Sequence, residues 1–454
     1  MSFQVINPAT GETVKEIPVW DDASVEAVLS QVAEATPGWA NTPIAERCEL
    51  IRKAAQVLRD NKEKYAQIIT TEMGKLIKDA RAEVEKCALV CEYYADNGAE
   101  FLKDEPLASD ASQSFVAHLP LGTVLAVMPW NFPFWQVFRF AAPALVAGNT
   151  GLLKHASNVP ESALAIEEVF RQAGLPTGTF RTLMIRASQV QKVIEDPRVH
   201  AVTLTGSEPA GRQVAATAGA NLKKSVLELG GSDAFIVLED ADLDEAARVA
   251  VISRYLNTGQ SCIAAKRFIV VDAIAEDFVA RFKAGAEALQ LGDPMNEATT
   301  MAPMARNDLR DELHQQVSDT IAAGAVAVTG CKPGEGSGAY YLPSILDRVE
   351  PGMRAYGEEL FGPVAIVIRA RDENDAIRIA NDSPYGLGGS IWTRDTQRGD
   401  RLARQMQSGA TFINGLVKSD PRLPFGGVKN SGYGRELSHH GIHEFVNAKT
   451  IWIK

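Results

Sequence analysis

The sequence lacks any hydrophobic run long enough to span a bilayer, and no basic segment followed by an apolar run opens the chain. It also lacks an excess of positive charge, because 46 Lys and Arg stand against 57 Asp and Glu, for a formal net charge of −11. This acidity opposes attraction to nucleic-acid phosphates and to anionic lipid. We therefore expect a cytoplasmic protein with neither a nucleic-acid nor a membrane partner.

Cysteine is scarce, and its spacing excludes two classes of site. Five thinly spread cysteines do not form the dense, paired pattern of a secreted disulfide scaffold, which favours a reducing compartment. Cys87 and Cys91 are one helical turn apart, but no histidine or second cysteine pair lies near them with metal-ligand spacing. We expect two core thiols and no metal site.

The length and the periodicity of the chain indicate an α/β protein. A chain of 454 residues exceeds one compact core and predicts two or three domains. Apolar residues recur at three- and four-residue steps over residues 43–100, the period of amphipathic helices. Beyond Gly122, β-rich runs alternate with helical stretches, which predicts parallel sheets. The expected strands are 124–127, 151–154, 201–204, 235–238, 268–271, 364–368 and 411–414, and the expected helices are 274–290, 305–323 and 373–381.

Two segments interrupt this alternation. Residues 105–119 break the α/β rhythm, and residues 445–454 read as an extended strand with no obvious partner. Strands of this kind often pair with another subunit, so we expect a homo-oligomer, a dimer or a tetramer, whose arm and tail cross between protomers. The alternative is a local hairpin within one chain.

The phosphate-binding pattern G-x-G-x-x-G is absent. The nearest substitute lies at residues 204–211, where a strand runs through Gly206 and Ser207 into a helix start that offers backbone N–H groups to a phosphate. Taken alone, the same residues are equally typical of an ordinary helix cap.

Three further segments carry candidate catalytic groups. Glu228 lies between Leu227 and Leu229, which would raise its pKa toward that of a general base, and the following glycine pair permits unusual backbone angles. The alternative is a surface glutamate. Cys262 follows a flexible glycine turn and precedes a strand, where a thiol can face a cleft, although most lone cysteines are inert. Asn131 is held between two prolines, as an oxyanion-binding amide requires.

Together these segments resemble the aldehyde dehydrogenase superfamily over nearly the whole chain. The family's pattern is also matched by residues 358–364, 381–387 and 424–432. The resemblance implies that Cys262 is the nucleophile, Glu228 the general base, and Asn131 with the Cys262 backbone N–H the oxyanion hole. It implies a cofactor, NAD or NADP, bound by Pro129, Trp130, Lys154, Ser157, Gly206, Ser207, Leu229, Glu359 and Phe361.

The family's architecture implies a cofactor domain with an open parallel sheet, an α/β catalytic domain and a small oligomerisation arm. By this resemblance we place the cofactor domain at residues 1–104 and 122–229 and the catalytic domain at 230–425. The arm and tail are residues 105–121 and 445–454.

One departure from the family's pattern concerns the cofactor. Ser157 stands where the family usually has a glutamate that binds both ribose hydroxyls, so a charge that repels a 2′-phosphate is missing. Both NADP and NAD are therefore candidate cofactors. A glycine-rich turn of the family is also replaced, by residues 184–188.

Within the superfamily, the chain resembles the short bacterial succinate-semialdehyde dehydrogenases. Arg139 and Ser419 match two residues that those enzymes use on the substrate carboxylate, for which an arginine is the natural clamp. A second arginine of such enzymes is replaced by Leu256, and Lys418, Arg422 and Arg254 are candidates to compensate. The implied reaction is oxidation of succinate semialdehyde to succinate through a Cys262 thioester.

Two alternatives remain open. One is a dehydrogenase of another small aldehyde, with Trp135 and Phe138 shaping an aromatic pocket. The other is a catalytically silent binding protein on the same scaffold, against which the intact Cys262, Glu228 and Asn131 argue. An acyl-CoA-forming enzyme is disfavoured because such relatives generally lack the glutamate.

Overall fold

The computed structural model describes residues 2–454, which open with a hairpin and four helices. The hairpin pairs β1 (Ser2–Ile6) with β2 (Thr13–Pro18), and the helices are α1 (Asp22–Asn41), α2 (Ile44–Asp60), α3 (Lys62–Met73) and α4 (Ile77–Phe101). The helical period over residues 43–100 is confirmed, and the hairpin is an addition to the prediction.

A six-stranded sheet follows, which we call the N-terminal sheet. Its strands are β5 (Thr123–Met128), β6 (Thr150–His155), β7 (Phe180–Thr182), β8 (Ala201–Thr205), β9 (Lys224–Glu228) and the late β19 (Gly432–Tyr433), in the order β19-β9-β8-β5-β6-β7. All neighbours are parallel except β19 and β9. Its helices are α5 (Trp135–Val146), α6 (Pro160–Gln172), α7 (Ala187–Glu195) and α8 (Glu208–Ala220). The strand order reverses at β5, where ligands bind beyond the carboxyl ends of doubly wound sheets.

A seven-stranded sheet, the C-terminal sheet, forms the second core. Its strands are β10 (Asp233–Val237), β11 (Ala265–Val271), β12 (Val326–Thr329), β13 (Ser344–Asp347), β14 (Val364–Ala370), β16 (Gly389–Trp392) and β17 (Phe412–Ile413), in the order β12-β13-β14-β11-β10-β16-β17. Only β12 is antiparallel to its neighbour. Its helices are α9 (Leu243–Tyr255), α10 (Asp272–Glu287), α11 (Asn307–Ala322), α12 (Arg354–Gly357), α13 (Glu373–Asn381) and α14 (Thr396–Ala403). Its central strands are buried on both faces, as in covered parallel sheets.

The tail pairs within its own chain. Strand β20 (Val446–Ile453) is antiparallel to β4 (Gln113–Pro120) along its whole length, and β4 also pairs with β3 (Glu105–Pro106). The expectation that the tail lacks a partner in its own chain is therefore wrong, because the register from Val446↔Pro120 to Ile453↔Gln113 satisfies one edge of the strand. Three short elements complete the chain: β15 (Tyr385–Gly386), β18 (Val428–Lys429) and α15 (Ser438–His443).

Within residues 2–454, no helix combines the length and the apolar character needed to cross a membrane. Over the same residues, no group of three or more His, Cys, Asp or Glu side chains is placed to hold a metal ion. Cys87 and Cys91 are free, fully buried thiols on one face of α4, and burial raises the pKa of both. Their interpretation as core thiols is confirmed.

Candidate active site

The loops that leave the carboxyl ends of β5, β8 and β9 meet residues 256–264, which we call the cysteine loop, at a cleft of about 250 Å³. Nine residues singled out in the sequence line it: Asn131 and Cys262, and the cofactor candidates Pro129, Trp130, Gly206, Ser207, Leu229, Glu359 and Phe361. Trp130 and Phe361 meet edge to face, with ring centroids 5.8 Å apart. The predicted residues Glu228, Lys154, Ser157, Arg139 and Ser419 lie outside this lining.

The cysteine loop begins with a strained turn. After α9, the backbone of Asn257, Thr258 and Gly259 is left-handed, with φ of 52°, 57° and 70°. Such angles cost of order 1 kcal/mol for each non-glycine residue. Asn257 Nδ2 donates to the Asn131 carbonyl at 2.9 Å, and Arg254 Nη1 donates to the Ala265 carbonyl at 3.0 Å. Buried hydrogen bonds therefore accompany the strained backbone of this turn.

Charged neighbours surround the Cys262 thiol. Burial raises the pKa of Cys262 to about 12, and the cations Arg139 and Lys266 oppose that rise. Lys266 Nζ donates to the carbonyls of Ser261 at 2.8 Å and Cys262 at 2.9 Å, and it lies 3.2 Å from Glu359 Oε1. The resting thiol is therefore protonated at neutral pH, and attack on a carbonyl requires removal of its proton.

Asn131 is positioned by an ion pair that the sequence did not indicate as functional. The buried Lys75 and Glu83 pair with each other, and Lys75 Nζ donates to the Asn131 carbonyl at 3.1 Å. Glu83 also accepts from the backbone N–H groups of Phe134 at 2.9 Å and Trp135 at 3.0 Å, at the start of α5. One signal in the sequence could have indicated this role: Glu83 is a charged residue at a position on the apolar face of α4.

The Asn131 side chain is partly engaged. Its Nδ2 donates to the Gln260 carbonyl at 3.1 Å, while Oδ1 has no partner among residues 2–454. An amide nitrogen carries two N–H groups, so one of them remains to donate to an oxyanion.

Glu228 ends β9 as a buried residue, so the surface alternative is wrong. Burial raises its pKa well above the usual value, the charge of Glu436 adds to the rise, and Arg139 opposes it. Neither carboxylate oxygen has a partner among the described residues. A Cβ on Gly426 would lie 2.7 Å from Glu228 Oε1, so the carboxylate faces Gly426 and does not line the cleft.

The glycine pair after Glu228 is required by close contacts. Neither Gly230 nor Gly231 has a positive φ, so neither uses the unusual backbone angles that glycine permits. A Cβ on Gly230 would lie 2.3 Å from Glu359 Oε2, and one on Gly231 would lie 2.9 Å from the Cys262 carbonyl. The pair lets β9 pass directly beside the cysteine loop.

The cofactor candidates divide into two groups. Ser207 is the N-cap of α8 and lines the cleft. Its side chain accepts no hydrogen bond from the first N–H groups of the helix, so these groups remain available to a ligand. Lys154 is buried near the end of β6, where burial lowers its pKa, and Ser157 is exposed beyond it. Ser207 follows β8 and Lys154 lies in β6, the two strands that flank β5 in the N-terminal sheet.

The predicted substrate residues lie behind the cleft. Arg139 is ion-paired with Glu436, and its guanidinium carbon lies 4.5 Å from the centroid of the Phe425 ring. Ser419 Oγ accepts from Lys86 Nζ at 2.8 Å and from Trp135 Nε1 at 3.1 Å. Lys86 has no counterpart in the sequence predictions.

Two further residues named from the sequence, Phe138 and Leu256, lie away from the cleft. Phe138 is fully buried between Phe134 and Phe170 in the core, so its assignment to an aromatic pocket is wrong. Leu256 is 42% exposed and lines a separate groove of about 170 Å³.

The model of the aldehyde dehydrogenase family matches residues 1–451. The chain belongs to the aldehyde dehydrogenase family. The family and the fold predicted from the motifs are thereby confirmed. A protein of Synechocystis sp. named probable succinate-semialdehyde dehydrogenase [NADP(+)] is 52% identical over 453 residues, covering 100% of both chains. An Escherichia coli K12 protein named succinate semialdehyde dehydrogenase [NAD(P)+] is 50% identical and covers 98% of this chain and 97% of its own.

A solved structure supports the same fold. The structure titled succinic semialdehyde dehydrogenase from Streptococcus pyogenes in complex with NADP+ superposes with a TM-score of 0.97. It is 40% identical to this aldehyde dehydrogenase, and the match covers 99% of each chain.

Proposed function

We propose that this aldehyde dehydrogenase oxidises succinate semialdehyde to succinate with NADP or NAD. The observation that carries the chemistry is that Cys262 and Asn131 line one cleft with seven cofactor candidates. The substrate and the cofactor are supported by the names of relatives that are about half identical over their full length. Overall, the aldehyde, water and oxidised cofactor give the carboxylate, reduced cofactor and two protons.

The first half of the reaction belongs to Cys262 and Asn131. The Cys262 thiol gives up its proton and its sulfur attacks the aldehyde carbon, which converts the carbonyl oxygen into an oxyanion. The free N–H of Asn131 Nδ2 and the Cys262 backbone N–H donate to that oxyanion. The cofactor, when bound in the cleft, would supply the hydride acceptor for the same carbon. Cys262 then carries the acyl group as a thioester.

The second half belongs to Glu228. Its raised pKa suits a group that accepts a proton from water near neutral pH, and the activated water hydrolyses the thioester. Because the carboxylate faces Gly426, it must turn about its side-chain bonds to meet water beside Cys262. Neither oxygen of the Glu228 carboxylate has a hydrogen-bond partner among residues 2–454 that would oppose this rotation.

The cofactor fits the residues present. The N–H groups at the start of α8, with Gly206 and Ser207, would hold the pyrophosphate, and Glu359 and Phe361 would hold the nicotinamide half. Pro129, Trp130 and Leu229 would form the walls. Lys154 would bind the adenosine ribose or its 2′-phosphate, and the neutral Ser157 places no charge against that phosphate.

The substrate carboxylate would be bound through Arg139 and Ser419. The competing function, oxidation of a small aldehyde without a carboxylate, is favoured by one observation: Arg139 is already paired with Glu436. An internally neutralised arginine attracts a second carboxylate less than a free one.

The test compares succinate semialdehyde with butyraldehyde, each with NAD and NADP, on wild type and Arg139→Ala. Strong preference for succinate semialdehyde that falls by about 2 to 5 kcal/mol in the variant supports the carboxylate clamp. Equal rates with both aldehydes would overturn the substrate, and the family chemistry would remain. The ratio of the two kcat/KM values is the readout, because loss of Arg139 also leaves Glu436 unpaired and lowers both rates.

We further propose that the N-terminal sheet belongs to the cofactor domain, the C-terminal sheet to the catalytic domain, and β3, β4 and β20 to an oligomerisation arm. The free edge of β20 and the exposed Trp452 support assembly into a homodimer or homotetramer. A cytoplasmic location is supported by the net negative charge and by five free cysteines.

A further inference from the structure

A half-buried lysine on α4, Lys86, lies beside the predicted substrate serine. Lys86 Nζ donates to Ser419 Oγ at 2.8 Å and lies 4.0 Å from the centroid of the Trp135 ring. No carboxylate among residues 2–454 is within ion-pair distance of it, whereas the neighbouring Arg139 is paired with Glu436. Lys86 is therefore a partly desolvated positive charge without an ion-pair partner, and an opposite charge placed beside it would be favoured.

Ser419 has a hydroxyl hydrogen to offer. Its oxygen already accepts from Lys86 and from Trp135 Nε1, which occupies both lone pairs of a hydroxyl. Its O–H donates to no described residue. A hydroxyl donor next to a free ammonium group is a pair of donors without an acceptor, and a carboxylate supplies two acceptor oxygens.

The candidates considered from the sequence do not serve this purpose. Arg254 is fully buried and donates to backbone carbonyls, at 3.0 Å for that of Ala265. Arg422 pairs with Asp420. Lys418 is exposed. Lys86 is the remaining cation that contacts a predicted substrate residue.

We propose that Lys86, together with the Ser419 hydroxyl, binds the carboxylate of the aldehyde substrate and determines the preference for carboxylate-bearing aldehydes. This inference rests on the proposed function.

The charge of Lys86 responds to pH near neutrality. Burial and the charge of Arg139 on α5 together lower the pKa of Lys86 to about 8. Cys87 and Glu83 on α4, and Asp420 next to Ser419, oppose this decrease. Below pH 8 the ammonium form binds a carboxylate, and above pH 8 the neutral amine does not. Succinate, the product, should therefore inhibit more weakly as the pH rises through 8.

The experiment compares kcat/KM for succinate semialdehyde and butyraldehyde on wild type, Lys86→Met, Lys86→Arg and Lys418→Met. In Lys86→Met, we expect kcat/KM for succinate semialdehyde to fall about 10- to 100-fold, mainly through KM, as for a lost hydrogen bond to a charged group. Butyraldehyde should change less than about threefold, because it has no carboxylate. Lys86→Arg should keep most of the preference, and Lys418→Met, which removes an equal charge one residue from Ser419, should keep all of it.

The outcomes separate the two proposals. If wild type oxidises both aldehydes alike, the substrate assignment falls, and the role of Lys86 falls with it. If wild type prefers succinate semialdehyde but Lys86→Met keeps that preference, or loses both activities equally, only the role of Lys86 is overturned. If the methionine variant does not fold, the inhibition constant of succinate decides between wild type and Lys86→Arg: it should rise above pH 8 in wild type alone. A rise in both proteins or in neither contradicts the proposal.

Discussion

At the scale of single residues, the candidate active site combines two groups with raised pKa values, the Cys262 thiol and the Glu228 carboxyl. Burial raises the pKa of each group, because the protein interior solvates the charged form less well than water does. The arrangement limits unproductive alkylation or oxidation of the resting thiol.

The raised pKa of Cys262 predicts the pH dependence of its alkylation in the free enzyme. A thiol with a pKa of about 12 becomes thiolate in proportion to hydroxide, so the rate with iodoacetamide should rise about tenfold per pH unit from pH 6.5 to 9.5. Mass spectrometry of the modified peptide measures this rate, and Cys262→Ala accounts for alkylation of Cys331. A plateau near pH 7 would show that the resting enzyme stabilises the thiolate.

Ser157 predicts the choice of cofactor. Ser157→Glu places a carboxylate where a 2′-phosphate is expected, so kcat/KM with NADP should fall about tenfold or more while activity with NAD is kept. Ser157→Ala, which adds no charge, is the matched control. Equal losses with both cofactors would place Ser157 away from the ribose.

At the scale of elements, the strained turn before β11 depends on glycine. Gly259→Ala would bring a Cβ to 2.2 Å from the Gly362 carbonyl at a φ of 70°, so we expect a lower Tm and loss of activity. Gly219→Ala is the control, because an added Cβ there meets nothing within 4 Å and Gly219 lies in helix α8. Its Tm should be unchanged or higher, since alanine favours helix over glycine. Equal Tm values for the two variants would show that the turn relaxes freely.

The Lys75–Glu83 pair joins α4 to the start of α5. Lys75→Met leaves Glu83 as an unpaired buried charge, which costs about 3–5 kcal/mol. Lys75→Met/Glu83→Leu should recover only part of this, because the N–H groups of Phe134 and Trp135 lose their acceptor. Thermal unfolding of both single variants and the double variant measures the coupling. Additive losses would mean that the two charges do not interact.

At the scale of the whole molecule, the arm exposes apolar surface beside an open strand edge. Trp452 is 49% exposed on β20, so Trp452→Asp should shift the protein to a smaller species if this surface is an interface between copies of the chain. Light scattering after gel filtration measures the mass. Leu222→Asp changes a leucine that is 96% exposed outside the arm and should leave the mass unchanged. An unchanged mass for Trp452→Asp would place the interface elsewhere.

The sequence by itself determined the family, the α/β class and most strand positions. Ordered motifs and local periodicity are properties of neighbouring residues, so the predicted strand at 201–204 lies within the observed Ala201–Thr205. Motifs also identified nine of the residues that line the cleft.

Contacts between distant segments were decided only by the tertiary structure. Folding brings Lys86 to Ser419, 333 positions away, pairs Arg139 with Glu436, and turns Glu228 toward Gly426. It also pairs the tail with β4, where the sequence showed only an unpartnered strand. Burial, charge pairing and pKa depend on which groups are close in space, and the spacing of residues along the chain does not indicate these contacts.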